Sequence, residues 1–118
     1  MGVIRAWHIL EHLHDKQKIM AEIYRVLCHG GWLIAEVPST DGRGAFQDPT
    51  HVSYWNENSF WYYYDQSKAA FLYEGKSPIR FQKYENRTIW WDNNIAITQV
   101  ALVAIKQAEP RFPGELLI

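Results

Sequence analysis

A strand, helix, strand unit fills the first third of this chain and limits what the rest can build. Val3-Ile4-Arg5-Ala6-Trp7 has the β-branched and aromatic character of a short strand that needs a neighbour. Leu13-His14-Asp15 breaks that pattern, with Asp15 the expected N-cap. From Lys16 onward, Ile19, Met20, Ile23, Val26 and Leu27 recur at helical spacing, with Lys18, Glu22 and Arg25 opposite. Gly30 is expected at the left-handed position that ends this helix, and Gly31 in the turn that follows. Trp32 to Val37 is apolar except for Glu36, which reads as a strand buried on both faces, and Pro38 ends it. Two strands joined by a helix run parallel, and open sheets of this kind bind ligands beyond the carboxyl ends of their strands. Those ends are Trp7 to His12 and Pro38 to Phe46.

Downstream, Ser39 to Gly44 reads as a loop, and Asp48-Pro49-Thr50-His51 follows it. Asn56-Glu57-Asn58-Ser59 has the composition of a helix start. The helix from Phe60 to Tyr64 is apolar nearly all round, so it is either deeply packed or an interface. Lys68 to Ser77 is expected to be irregular. Ile79 to Trp91 and Ile95 to Lys106 read as antiparallel strands joined by Asp92-Asn93-Asn94, residues that tolerate positive φ. The second of them is apolar on both faces and belongs inside the sheet, with the first nearer the edge. The tail from Glu109, with Pro110 and Pro113, is expected to be extended.

Bulk properties exclude several classes. A chain of 118 residues suits one domain, and a formal net charge of -1 argues against nucleic acid or an anionic membrane as partner. A single cysteine, Cys28, excludes an internal disulfide framework and a cysteine-rich zinc site. No apolar run approaches the ~20 residues that span a bilayer, and the N-terminus lacks a signal-peptide pattern. A cytoplasmic location is the default expectation.

His8-Ile9-Leu10-Glu11-His12 fits H-x-x-E-H, a metallopeptidase pattern. On a helix, His8 and His12 would share a zinc ion, Glu11 would be the base, and an acid such as Glu85 the third protein ligand. The context opposes this: the upstream residues are extended, no N-cap precedes His8, and no glutamate on a second helix is evident.

A longer pattern points elsewhere. Ala6 to Leu13, then Glu22-Ile23-Tyr24-Arg25-Val26-Leu27-Cys28-His29-Gly30-Gly31-Trp32 on to Val37-Pro38, resembles the class I S-adenosylmethionine-dependent methyltransferases. In that family a strand ends in Leu-Glu-His, a helix ends in Arg-Val-Leu-Lys-Pro-Gly-Gly, and the next strand ends in Val-Pro. Here Cys28-His29 replaces Lys-Pro. Asp48-Pro49-Thr50-His51 with Trp55, Asn56, Ser59 and Phe60 resembles the following segment of type 11/12 members. The resemblance implies a partial Rossmann-like α/β fold, parallel strands with a crossover helix followed by an antiparallel hairpin. It also implies that residues 1–118 form a single incomplete domain that begins at the family's fourth strand. The glycine-rich loop and the acidic residue that contact the cofactor in that family have no counterpart here.

By that resemblance Ala6, Trp7 and His8 stand beside S-adenosylmethionine, with weak or no binding expected of this chain alone. Glu11, His51 and Trp55 stand on the substrate side, and His12 or His51 is the candidate base for a small-molecule, sugar or lipid-type methyl acceptor. No metal is implied, because Trp7-His8 stands where metal-holding members carry acidic residues. Each residue also has a structural reading: Glu11 and His12 as caps or loop anchors, His51 as a turn residue, His14 as solvated surface, Cys28 as inert. A second class remains beside the enzyme, a non-catalytic assembly unit. An unpaired Val3 to Trp7 edge or the aromatic helix would then drive a homodimer or larger assembly.

Overall fold

The first strand and its helix form where local pattern places them. In a computed structural model describing residues 1–74, 78–91 and 93–106, β1 (Val3–Trp7) pairs in parallel with β2 (Trp32–Pro38), in register from Val3↔Trp32 to Trp7↔Glu36. Between them α1 (Lys16–Val26) starts at Asp15, whose carboxylate accepts a hydrogen bond from the Lys18 amide, and buries Met20 and Ile23.

The helix stops earlier than its glycines suggest. Leu27 is already extended and 1% exposed, having left the helix to fill the core. Gly30, with φ 82°, instead serves a turn in which the Gly31 amide donates to the Cys28 carbonyl at 2.9 Å. The glycine belongs to the turn into β2 rather than to the helix terminus.

β3 (Phe81–Trp90) and β4 (Ala96–Ala104) form the expected antiparallel hairpin, and Asn93 and Asn94 take φ of 64° and 60° at its turn. β4 also pairs antiparallel with β2, so the four-stranded order is β1-β2-β4-β3, with β4 inside and β3 at the edge. The fold is a mixed α/β sheet with a parallel pair and an antiparallel hairpin, compatible with a partial Rossmann-like methyltransferase fold. The tail from Glu109 lies outside the described residues.

Two short helices escape the sequence reading. α2 (Gly44–Gln47) is a single turn, too short to carry a periodic signal. α4 (Gln66–Leu72) occupies much of the stretch expected to be irregular, started by Asp65, whose carboxylate accepts from the Ser67 and Lys68 amides. Residues 75–77 of that stretch lie outside the described ones. α3 (Glu57–Tyr64) opens on a capping box between Asn56 and Ser59. It turns Phe60 and Tyr63 into the core and leaves Trp61 at the surface, so packing rather than exposure accounts for most of its apolar character. Burial pushes the Tyr63 phenol pKa upward.

One sheet face carries the main core: Leu33, Ala35 and Val37 of β2 and Val100, Leu102 and Ala104 of β4 meet Met20, Ile23, Trp55 and Phe60. The alternate residues Trp32, Ala101 and Val103 form a smaller cluster on the other face, joined by Ile105. Both faces of β2 are therefore occupied, as its unbroken apolar run requires. Among the described residues no helix is long and apolar enough to cross a membrane.

Candidate functional site

The site grows from the carboxyl end of β1. His8, just past the strand, sits at φ 55°, a left-handed conformation that costs a non-glycine residue on the order of 1–3 kcal/mol and persists only when held from outside. Two bonds to one residue hold it: the His8 amide donates to the Glu36 carbonyl at 2.9 Å, and His8 Nε2 lies 2.5 Å from Glu36 Oε2. The other oxygen of this buried carboxylate accepts from Gln99 Nε2 at 2.7 Å, and Gln99 in turn accepts from Arg87 at 2.9 Å. The single charge inside β2 is thus bonded at both oxygens, which is what makes its burial tolerable.

Leu10–His12 then forms one 3₁₀ turn, which sends Glu11 inward and His12 toward solvent. Glu11 is 2% exposed, and its backbone is the anchor for a distant loop. The Val52 and Ser53 amides donate to the Glu11 carbonyl at 2.8 and 3.1 Å, and the Ser53 hydroxyl donates to the Leu10 carbonyl at 2.9 Å. The same loop is tightened at its start, where Asp48 accepts from the Thr50 amide and hydroxyl at 2.8 and 2.7 Å. These bonds hold the exposed Asp48 carboxyl below its ordinary pKa.

That anchoring delivers His51 to Glu11. Around Glu11 Oε2 stand three imidazole nitrogens, His12 Nε2 at 3.7 Å, His8 Nδ1 at 3.8 Å and His51 Nε2 at 4.0 Å. The rings of His12 and His51 meet edge to face, 4.9 Å apart. His12 Nδ1 lies 3.1 Å from the Thr50 carbonyl, and His51 Nδ1 lies 3.1 Å from the Ala45 carbonyl. A carbonyl only accepts, so both Nδ1 atoms carry the proton, and in the neutral rings both Nε2 lone pairs are free. An open pocket of about 290 Å³ lies over this group, walled by His8, Glu11, His12, His51, Trp91 and Ile97 among others.

Four of the residues singled out from sequence therefore converge: His8, Glu11, His12 and His51. Three do not join them. Ala6 is buried in the main core. Trp7 is half exposed with the Arg5 guanidinium 4.5 Å over its ring. Trp55, expected on the substrate side, is 0% exposed and stacked on Phe60 at 5.1 Å, so it reaches no ligand. Its indole donates to Ser53 Oγ at 2.9 Å, which makes it a support for the loop carrying His51.

The metallopeptidase arrangement also fails on geometry. His8 ends a strand and His12 sits in a 3₁₀ turn, so they do not share a helical face. Glu85 lies on β3, paired with Arg87 at 2.7 Å. The sequence reading missed Gln99 and Trp91. The first had a signal, a polar residue within an otherwise apolar inner strand. The second had none, because only the hairpin turn brings it to the pocket.

Comparison with known proteins bears on the N-terminal part of the chain. Residues 2–35 match a family model described as "Methyltransferase domain". Over those residues the chain is similar to a methyltransferase domain. No curated protein and no solved structure gives a significant match. The matched segment spans β1, the Glu11–His12 turn, α1 and the start of β2. His51, Trp91 and Gln99 lie beyond it.

Methyltransferase domains generally use S-adenosylmethionine. Next to β1 runs an open groove of about 500 Å³, lined mostly by apolar residues such as Ile4, Ala6, Ile9, Leu10 and Ile23. Gly30 and Gly31 form the turn that enters β2 from its amino end, so they supply no glycine turn at the carboxyl ends where a cofactor would lie.

Proposed function

We propose that this chain is the acceptor-side part of an S-adenosylmethionine-dependent methyltransferase, an incomplete domain running from the family's fourth strand onward. Its methyl acceptor is a small-molecule, sugar or lipid-type compound bearing a hydroxyl or amine. The observation that carries this reading is the pair of free Nε2 lone pairs, His12 and His51, aimed at one pocket at the carboxyl end of a parallel strand. Either lone pair takes the proton of an acceptor hydroxyl held over Glu11, and the pocket walls align that oxygen. His8, pinned by Glu36, sets the pocket's inner edge.

The family's glycine-rich loop and the acidic residue that holds the ribose have no counterpart in this sequence, so binding of S-adenosylmethionine to this chain alone is expected to be weak or absent. Calorimetric titration of the protein with S-adenosylmethionine checks this: no saturable heat is expected, and micromolar binding would overturn the incomplete-domain reading. An in-frame glycine-rich segment in the DNA before Met1 would support it.

A second proposal concerns assembly. Among the described residues β1 pairs only with β2, leaving its outer edge open beside the apolar groove of about 500 Å³. Open edges with adjacent apolar surface recruit another chain. We propose a homodimer or larger assembly through this edge, or through the aromatic helix that exposes Trp61. Light scattering is expected to give at least twice the mass of the 13.9 kDa chain; a monodisperse monomer would refute assembly. The exposed free thiol of Cys28 suits a reducing compartment, which we take to be the cytoplasm.

A further inference from the structure

We infer that Glu11, His12 and His51 form a binding site for one divalent transition-metal ion of the zinc or cobalt kind. One ligand atom from each lies within 4.8 Å of the others. Two imidazoles and a carboxylate are a donor set for such ions, whereas magnesium prefers oxygens.

Three further observations point to a cation. Glu11 Oε1 is buried with no hydrogen-bond partner, and Oε2 meets imidazole nitrogens only at 3.7 to 4.0 Å, beyond hydrogen-bond reach. A carboxyl group so placed is costly unless something occupies the space in front of it. Both histidines donate Nδ1–H to a backbone carbonyl, which fixes each ring with the Nε2 lone pair forward, the usual second contact of a metal-bound histidine. The distances are slightly wide: ligands at 2.0–2.1 Å around a tetrahedral ion stand ~3.4 Å apart. Binding would therefore draw the His12 and His51 rings each a few tenths of an ångström toward Glu11, from 3.7 and 4.0 Å. Asp48 Oδ2, 3.6 Å from His51 Nε2, borders the same space.

Three protein ligands leave a coordination position open toward the pocket. An acceptor oxygen bound there would lose its proton more readily, and the lone pairs offered above as base would be taken by the ion. The site does not rest on methyl transfer, because binding is read with no methyl donor present. It also owes nothing to the H-x-x-E-H spacing, since His51 comes from a different loop and His8 is engaged by Glu36.

The test is titration of chelator-treated protein with cobalt(II), followed by its visible absorption band and by calorimetry. One saturable equivalent, displaced by zinc, is expected. His12→Ala and Glu11→Gln should each weaken binding by about tenfold or more, since even outer contacts of metal ligands are worth about that much. His51→Ala should do the same, with far-UV circular dichroism showing that the fold is kept. His14→Ala, at an exposed position outside the cluster, should bind as the parent does. Absence of saturable binding, or binding that survives both His12→Ala and Glu11→Gln, would overturn the assignment and leave the methyltransferase reading standing.

Discussion

Trp55→Ala is expected to destabilise the protein by about 3–5 kcal/mol, the range for emptying a buried aromatic site. The indole is 0% exposed, stacks on Phe60 at 5.1 Å, and donates to Ser53 Oγ at 2.9 Å. Its backbone is also fixed, because the Thr40 amide donates to the Trp55 carbonyl at 2.9 Å and Ser39 forms a bridge with Trp55. Removing the ring leaves a cavity and frees the Ser53 hydroxyl, whose bond to the Leu10 carbonyl ties the His51 loop to the Glu11 turn. Stability and site should therefore fall together. Trp55→Phe keeps the stacking and loses the indole hydrogen bond, so its cost should be nearer 1 kcal/mol for that bond plus a small void of about the same order. Denaturant unfolding of both variants checks this; a loss below about 1 kcal/mol for the alanine variant would mean the ring is not a core residue.

Gly42→Ala is the second large effect. A Cβ at this position would stand 2.5 Å from the Ala96 amide nitrogen and 2.6 Å from the Asn94 carbonyl oxygen, both backbone atoms with no rotamer to yield. The loop there clasps the hairpin turn: the Arg43 amide donates to Asn94 at 2.9 Å and the Ser39 amide to Ala96 at 2.8 Å. Overpacking of this kind costs about 1–3 kcal/mol, and the backbone must move to relieve it. Because Trp91 and Ile97 wall the pocket, the movement should also reshape the site. Gly2→Ala is the control, since nothing lies within 4 Å of its Cβ, and should stay within about 0.5 kcal/mol of the parent. Thermal unfolding of the pair measures the contrast; equal melting temperatures would mean that the clasp yields freely.

The histidine pocket shows why such supports matter. His8 keeps an unfavourable φ of 55° because Glu36 holds its amide and its ring. Glu11 keeps a buried carboxyl oxygen without a partner because the loop bonded to its backbone closes over it. Both are local costs sustained by contacts elsewhere, a pattern expected of a binding site more than of a core built only for stability.

The sequence by itself determined the strand, helix, strand unit, the capping at Asp15 and Asn56, and the order of the closing hairpin. Each of these rests on a periodicity or a cap read over a few neighbouring residues, where side-chain spacing and backbone preference act directly. It also marked His8, Glu11 and His12 as polar residues at a strand end, and His51 in a downstream loop. What joins them was decided by tertiary structure. The hydrogen bonds from Val52 and Ser53 to Glu11 link segments far apart in the chain, and no local pattern encodes that pairing. The same distance explains Trp55, which stands in the sequence like a ligand contact and is core in the fold because Phe60 and Ser53 close around it. Neighbouring residues specify an element by themselves; a site made of two loops exists only once the sheet between them has set their separation.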